Sequence, residues 1–159
     1  MAYHDDLSKH SLELVHKDPA NPAQSDLRRS VSAAYYALFH LLIGEIAAFW
    51  GHHDSKAALA RMPQHRAMAE ASKKIQQMPF PGEDLAVVRQ LKEVARAFVQ
   101  LQDQREKADY DNTTLWAHTE ALNEVRKAAK TLSTWNSIRT EKIAQDYIAS
   151  LLVKPLKGS

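Results

Sequence analysis

One stretch, residues 85–111, constrains the fold of this chain more than any other part of it. Apolar residues recur there in steps of three and four, which predicts a long amphipathic helix with one buried face. Arg105 stands where the next apolar residue of that face is due, and the run Ala-Asp-Tyr-Asp at 108–111 follows at once. A guanidinium keeps its charge when buried, so Arg105 is predicted to need an anion or water within reach.

Two interpretations of Arg105 stay open at the level of the sequence. Asp109 and Asp111 lie just beyond the expected helix end and are the nearest carboxylates, so the arginine could extend from the helix end to pair with one of them. A phosphate group brought by a ligand would serve equally well. The first interpretation is structural and the second is functional.

The composition of the chain limits which folds and which kinds of site are possible. The 159 residues predict a single helical domain over 1–159, with 136–159 as a C-terminal extension. Only 4 Gly and 6 Pro interrupt the chain, which favours few, long elements, and the absence of Cys excludes disulfides and thiolate sites. The net charge of the whole chain is +2, which is too small to create a strong electrostatic attraction to nucleic acid. The polar N-terminus and the lack of eighteen consecutive apolar residues predict a cytoplasmic protein with no membrane contact.

Helical periodicity without strand alternation predicts an all-α fold, an antiparallel bundle of four to five helices. Helices are expected at 5–17, from a cap at Ser25 or Asp26 to about residue 50, at 64–77 and from residue 85 to a turn at 108–111. A last long helix is expected to begin at a cap on Asp111 or Asn112. Its buried face would comprise Leu115, His118, Leu122, Val125, Ala129 and Leu132. The stripe Ile143, Tyr147 and Leu151 near the C-terminus could fold back on the bundle or pair with a second chain.

Several polar positions lie on otherwise apolar faces. In the second helix a stripe recurs at helical spacing, which predicts either a packed or dimeric seam or a ligand groove; its members are Arg29, Ser32, Tyr36 and His40. The pair Arg28-Arg29 could contact phosphate or be solvated. His118 would lie near Arg105 if the last two helices pack antiparallel. The run His-His-Asp at 52–54 lacks further ligands at metal-site spacing, so no metal and no cofactor are expected.

Two of these segments resemble the HEPN domain, the higher eukaryotes and prokaryotes nucleotide-binding family. The segments are RRSVSAAYYALFH at 28–40 and REKADYD at 105–111. The resemblance implies a helical bundle that often forms a homodimer around a shared cleft. Active members are metal-independent endoribonucleases of toxin–antitoxin and phage-defence systems, and their motif is an Arg followed four to six residues later by a His. Here Tyr110 stands where that His is due.

The resemblance leads to three functional hypotheses. The first is a module that binds RNA or a nucleotide in a cleft around Arg105, without catalysis. The second is a metal-independent ribonuclease in which Arg105 acts with Tyr110 and with His118 or His40, alongside an antitoxin or nucleotidyltransferase partner. The third is a purely structural dimer. The residues expected to bind a ligand are Arg29, Ser32, Tyr36, His40, Asp109 and Asp111.

Overall fold

A computed structural model describes residues 2–49 and 65–152 of the chain, and over these ranges it contains six helices and no strands. The helices are α1 Tyr3–Val15, α2 Gln24–Phe49, α3 His65–Gln77, α4 Leu85–Tyr110, α5 His118–Ile138 and α6 Lys142–Leu152. The predicted all-α class is confirmed. The number of helices exceeds the four to five predicted, because the C-terminal stripe forms a helix of its own. The run His-His-Asp at 52–54 lies outside the described residues.

The α2 helix is the centre of the molecule. It packs against α1, α4, α5 and α6, and it is buried around most of its circumference. By length and composition α2 could also cross a membrane, since an 18-residue window has a mean hydropathy of 1.4. In the fold 56% of that window is buried, and the core helix of a soluble protein meets the same criteria. The cytoplasmic location stays a prediction.

Neighbouring long helices run antiparallel. Arg28 near the start of α2 contacts Ala108 near the end of α4, whereas Tyr35, two turns further along α2, contacts Phe98. On the other side of α4, Gln90 Nε2 near its start lies 3.5 Å from Ser137 Oγ near the end of α5. This arrangement brings the last turns of α4 against the first half of α2.

The predicted start of the last long helix is wrong. The α4 helix ends at Tyr110, residues 111–117 form a loop, and α5 begins only at His118. Asp111 is the C-cap of α4 and does not N-cap α5, because its side chain accepts hydrogen bonds from the backbone N–H of Thr113 at 2.9 Å and from the Thr114 hydroxyl at 2.8 Å. These local bonds stabilise a turn in place of a first helical turn.

The loop 111–117 is also held from outside by α2. The Gln24 amide donates to the Trp116 carbonyl at 2.8 Å and accepts from the Trp116 N–H at 2.9 Å. Leu115 is consequently left outside the core with 76% of its surface exposed, contrary to its predicted place on a buried face. The α5 helix then starts where the Glu120 carboxylate accepts the Ala117 N–H at 3.0 Å.

The C-terminal stripe folds back on its own chain. Ile143, Ala144, Tyr147, Ile148 and Leu151 of α6 are all buried in the core. The Tyr147 hydroxyl lies 2.7 Å from Ser72 Oγ of α3, and α6 also packs against α2. Of the two alternatives open from the sequence, packing within the chain is therefore the one observed.

Candidate functional site

Arg105 lies in the interior, as its position on the apolar face of α4 predicted. Only 7% of its surface is exposed. Its guanidinium carbon lies 5.2 Å from the ring centroid of Tyr35, 5.8 Å from that of Tyr36 and 5.9 Å from that of Tyr110. Three aromatic rings thus surround one cation, which they attract through the negative faces of their π systems. We call this group and its other neighbours the Arg105 cluster, which comprises Ser32, Tyr35, Tyr36, His65, Arg105, Asp109 and Tyr110.

The charge of Arg105 is only partly compensated. Asp109 Oδ2 lies 3.9 Å from Arg105 Nη1, which is an ion-pair distance but too long for a hydrogen bond. The same carboxylate oxygen accepts a hydrogen bond from Ser32 Oγ at 3.3 Å. Arg105 Nε is buried and has no hydrogen-bond partner among the residues that the structure describes. A guanidinium carries five N–H donors, so this site can accept a further anion.

Asp111, the other carboxylate expected to face Arg105, turns instead into the loop. Hydrogen bonds from Thr113 and Thr114 lower the pKa of Asp111 to about 2, because they stabilise the ionised form. The backbone carbonyl of Asp111 accepts a hydrogen bond from Arg28. Asp111 therefore stabilises the loop beside the cluster, because its carboxylate is hydrogen-bonded to Thr113 and Thr114 of that loop.

The two arginines at the start of α2 differ in their surroundings. The Arg28 guanidinium donates to the carbonyls of Ala108 at 3.0 Å and Asp111 at 2.9 Å, and also to that of Thr114. It thereby stabilises the C-terminal end of α4, where free carbonyls favour a cation. Arg29 is exposed and lies one turn before Ser32 on the same side of α2. Of the pair, only Arg29 is available to a ligand.

His65, which the sequence did not single out, is a central member of the cluster. Its Nδ1 lies 2.5 Å from the Tyr35 hydroxyl, and its ring stacks on Phe39 with centroids 4.3 Å apart. Its ring centroid is 5.9 Å from that of Tyr36, so His65 and Arg105 contact the same two tyrosines. Burial and then the nearby Arg105 charge lower the pKa of His65, which keeps the imidazole neutral at neutral pH.

His40 lies beside the cluster, one helical turn beyond Tyr36. Its ring meets Tyr36 at 6.2 Å and Tyr3 of α1 edge-on at 4.7 Å. Burial lowers the pKa of His40. Three members of the stripe predicted on α2, namely Ser32, Tyr36 and His40, therefore do line one side of the site.

His118 is not among the residues for which the structure describes a contact with Arg105. It is the first residue of α5, its ring lies 5.9 Å from that of His16, and the loop just before it is bonded to Gln24. The expectation assumed a helix that starts at residue 111 or 112. Because α5 starts only at His118, that residue lies in the first turn of the helix, and its described ring contact is with His16 rather than with Arg105.

The fold and the site define an all-helical bundle with a buried, incompletely paired arginine among aromatic rings. Within residues 2–49 and 65–152, no group of three or more His, Cys, Asp or Glu side chains is arranged to hold a metal ion. No family model, curated protein or solved structure matches this chain. What the site does must therefore be argued from its own chemistry.

Proposed function

We propose that this chain is a HEPN-like module that binds RNA or a nucleotide through a phosphate group held by Arg105. The observation that carries the proposal is the buried guanidinium with an unpartnered Nε and a single carboxylate at 3.9 Å. A phosphate oxygen would supply the hydrogen bonds that Asp109 does not make.

The surroundings of Arg105 favour a nucleic acid ligand over a simple anion. Tyr36 and Tyr110 lie within 5.9 Å of the guanidinium, and Tyr110 is 74% exposed. An exposed aromatic ring beside a phosphate site offers a surface on which an unpaired base stacks. Arg29, exposed on the same side of α2, supplies a second cation for the backbone of a longer strand.

Replacing Arg105 tests this proposal. Fluorescence anisotropy with a labelled single-stranded RNA is expected to show affinity at least about tenfold lower for Arg105→Ala, since a charged hydrogen bond contributes about 1.5–3 kcal/mol. Arg105→Lys should recover only part of the loss, because an ammonium lacks the planar donor fork. The matched control is Arg96→Ala, an exposed arginine of the same helix.

Circular dichroism of each variant checks that the helices remain. Equal RNA affinity of the parent and Arg105→Ala would contradict the proposal. If Arg105→Ala lost thermal stability without any change in RNA affinity, the interpretation of Arg105 as a structural partner of Asp109 would be preferred.

A second function, metal-independent RNA cleavage, is favoured by the position of His65. Such cleavage needs a base to take the proton of a ribose 2′-hydroxyl and a fixed cation for the charge that develops on phosphorus. When Nδ1–H of His65 donates to Tyr35, its Nε2 carries the free lone pair that a base requires. Tyr110 lacks this capacity at neutral pH, where an ordinary phenol stays protonated.

Incubation of RNA with the protein in EDTA at neutral pH tests cleavage. If the chain is a ribonuclease, the parent should cut and both Arg105→Ala and His65→Ala should lose at least about 100-fold in rate, the usual contribution of an acid–base group. His118→Ala should cut like the parent, because the described ring contact of His118 is with His16 and not with a member of the Arg105 cluster. Cleavage that persisted in His65→Ala would remove His65 from the mechanism, and an inactive parent would leave binding as the function.

A further inference from the structure

A groove of about 340 Å³ separates α3 from α4 beside the Arg105 cluster. Its polar lining consists of Arg66, Glu70, Lys73, Gln102, Asp103 and Glu106. Gln102 differs from the others because it is only 8% exposed. Its Oε1 is buried and has no hydrogen-bond partner among the described residues. A buried carbonyl without a partner is unfavourable, so a turn of the Gln102 side chain toward a ligand N–H group in the groove would be stabilising.

Hydrogen-bond acceptors are in excess in this groove. Lys73 Nζ lies 3.4 Å from Glu70, so these two charges largely compensate each other. Gln102 Oε1 and the carboxylates of Asp103 and Glu106 remain as acceptors, and Arg66 remains as the donor on the facing helix. A matching ligand therefore presents N–H groups along one edge and acceptors along another.

The groove continues the site proposed for phosphate. Gln102 and Arg105 are three residues apart on α4, and side chains at this spacing are neighbours about 5–6 Å apart on one face of a helix. Glu106 is the next residue, and it acts electrostatically on His65 and Tyr35 of the cluster. Phosphate at Arg105 would thus place the base of the same or the adjacent nucleotide over the groove.

We infer that the α3–α4 groove is a base-recognition site selective for guanine, an inference that rests on the proposed nucleotide-binding function. The Watson–Crick edge of guanine carries N1–H and N2–H donors, which match Gln102 Oε1 and the Glu106 carboxylate. Its other edge carries the O6 and N7 acceptors, to which an arginine such as Arg66 donates in a bidentate manner. Adenine presents the acceptor N1 where the groove also has acceptors, and is disfavoured.

Calorimetric titration of the full chain with GMP, IMP and AMP tests the inference. GMP should bind at least about tenfold tighter than AMP, and IMP, which lacks the N2 amino group, should bind between them. Glu106→Gln and Gln102→Met should bring the ratio of GMP to AMP affinity close to one. Glu106 is exposed, so its replacement leaves the core intact. Glu93→Gln, an exposed carboxylate of the same helix outside the groove, should keep the parent's preference.

The outcomes separate this inference from the function on which it rests. Equal affinity for the three nucleotides, still lost in Arg105→Ala, would overturn guanine selectivity and leave phosphate binding at Arg105 standing. A guanine preference unchanged in Glu106→Gln and in Gln102→Met would place base recognition elsewhere and overturn it too. No binding of the three nucleotides by a chain that still binds RNA would overturn the guanine site alone, and binding of neither nucleotides nor RNA would overturn both proposals.

Discussion

At the scale of single residues, the chemistry of the site depends on one cation that remains charged and one imidazole that remains neutral. Arg105 contacts the rings of Tyr35 and Tyr36, and His65 contacts the same two rings. The arginine cannot lose its proton, so its field acts on the histidine and favours the uncharged form. Burial also raises the pKa of the Tyr35 phenol well above its usual range, which keeps that hydroxyl protonated beside His65.

The lowered pKa of His65 predicts how stability depends on pH. The unfolded chain takes up a proton at His65 as pH falls below about 6.5, whereas the folded chain takes it up only at lower pH. Because the unfolded state then binds more protons, the free energy of unfolding should fall as pH drops below about 6.5 and be independent of this group above it. Urea denaturation between about pH 5 and 7 measures this slope.

His65→Gln should reduce that dependence, because glutamine does not titrate, and should leave the part that comes from the lowered pKa of His40. His10→Gln replaces an exposed histidine of α1 and serves as the control, with a slope like that of the parent. A parent and a His65→Gln variant with the same slope would show that His65 is as easily protonated in the folded chain as in the unfolded one.

At the scale of elements, the junction between α4 and α5 determines which residues reach the site. Arg28 of α2 donates to three carbonyls at the end of α4 and in the loop, and Gln24 holds Trp116 by two hydrogen bonds. These contacts place Asp109 and Tyr110, the last residues of α4, beside Arg105. They also accompany a start of α5 at His118, later than the sequence predicted.

The role of Arg28 gives an element-level prediction. Arg28→Ala should lower the free energy of unfolding by about 2–3 kcal/mol, because hydrogen bonds to a charged group contribute about 1.5–3 kcal/mol and the carbonyls left behind can be partly hydrated. Arg28→Lys should recover little, since one ammonium cannot reach three carbonyls in the geometry of a guanidinium. Chemical denaturation measures both losses. Arg29→Ala is the matched control and should change stability by less than about 0.5 kcal/mol.

At the scale of the whole molecule, α6 closes the bundle on the side of α3. Tyr147 is fully buried, bonds to Ser72 of α3 and packs edge-on against Trp135 of α5 with centroids 6.3 Å apart. One C-terminal side chain thus connects elements that are far apart in sequence.

The predicted homodimer and the predicted antitoxin or nucleotidyltransferase partner stay predictions, and light scattering at micromolar concentration is the direct measurement for the dimer.

Truncation of Tyr147 tests whether α6 belongs to the cooperative core. Tyr147→Ala should lower the free energy of unfolding by about 3–5 kcal/mol through the cavity it leaves. Tyr147→Phe keeps the ring and should cost only about 1 kcal/mol, the contribution of one hydrogen bond. A single urea transition should report both changes. A negligible effect of Tyr147→Ala would show that α6 is an independent extension.

Much of the fold follows from periodicity alone. The spacing of apolar residues predicted α3 and the start of α4 to within one or two residues and the start of α2 to within three, because burial of one helical face is a local property of the sequence. It also placed Arg105 on a buried face. The turn expected at 108–111 was wrong, since α4 continues to Tyr110. The start of α5 was missed, since the bonds of Asp111 to two threonines and of Gln24 to Trp116 compete with a first helical turn.

The sequence by itself determined that a cation would be buried at position 105 and that Ser32, Tyr36 and His40 would share one side of α2. Asp109 and Tyr110 were also named from the sequence, whereas the other groups around that cation were decided only by the tertiary structure. His65 comes from a separate helix, and its approach to Tyr35 depends on how α3 packs rather than on any local pattern. Helical periodicity specifies the face that a residue occupies, whereas contacts between helices depend on packing that no single segment encodes.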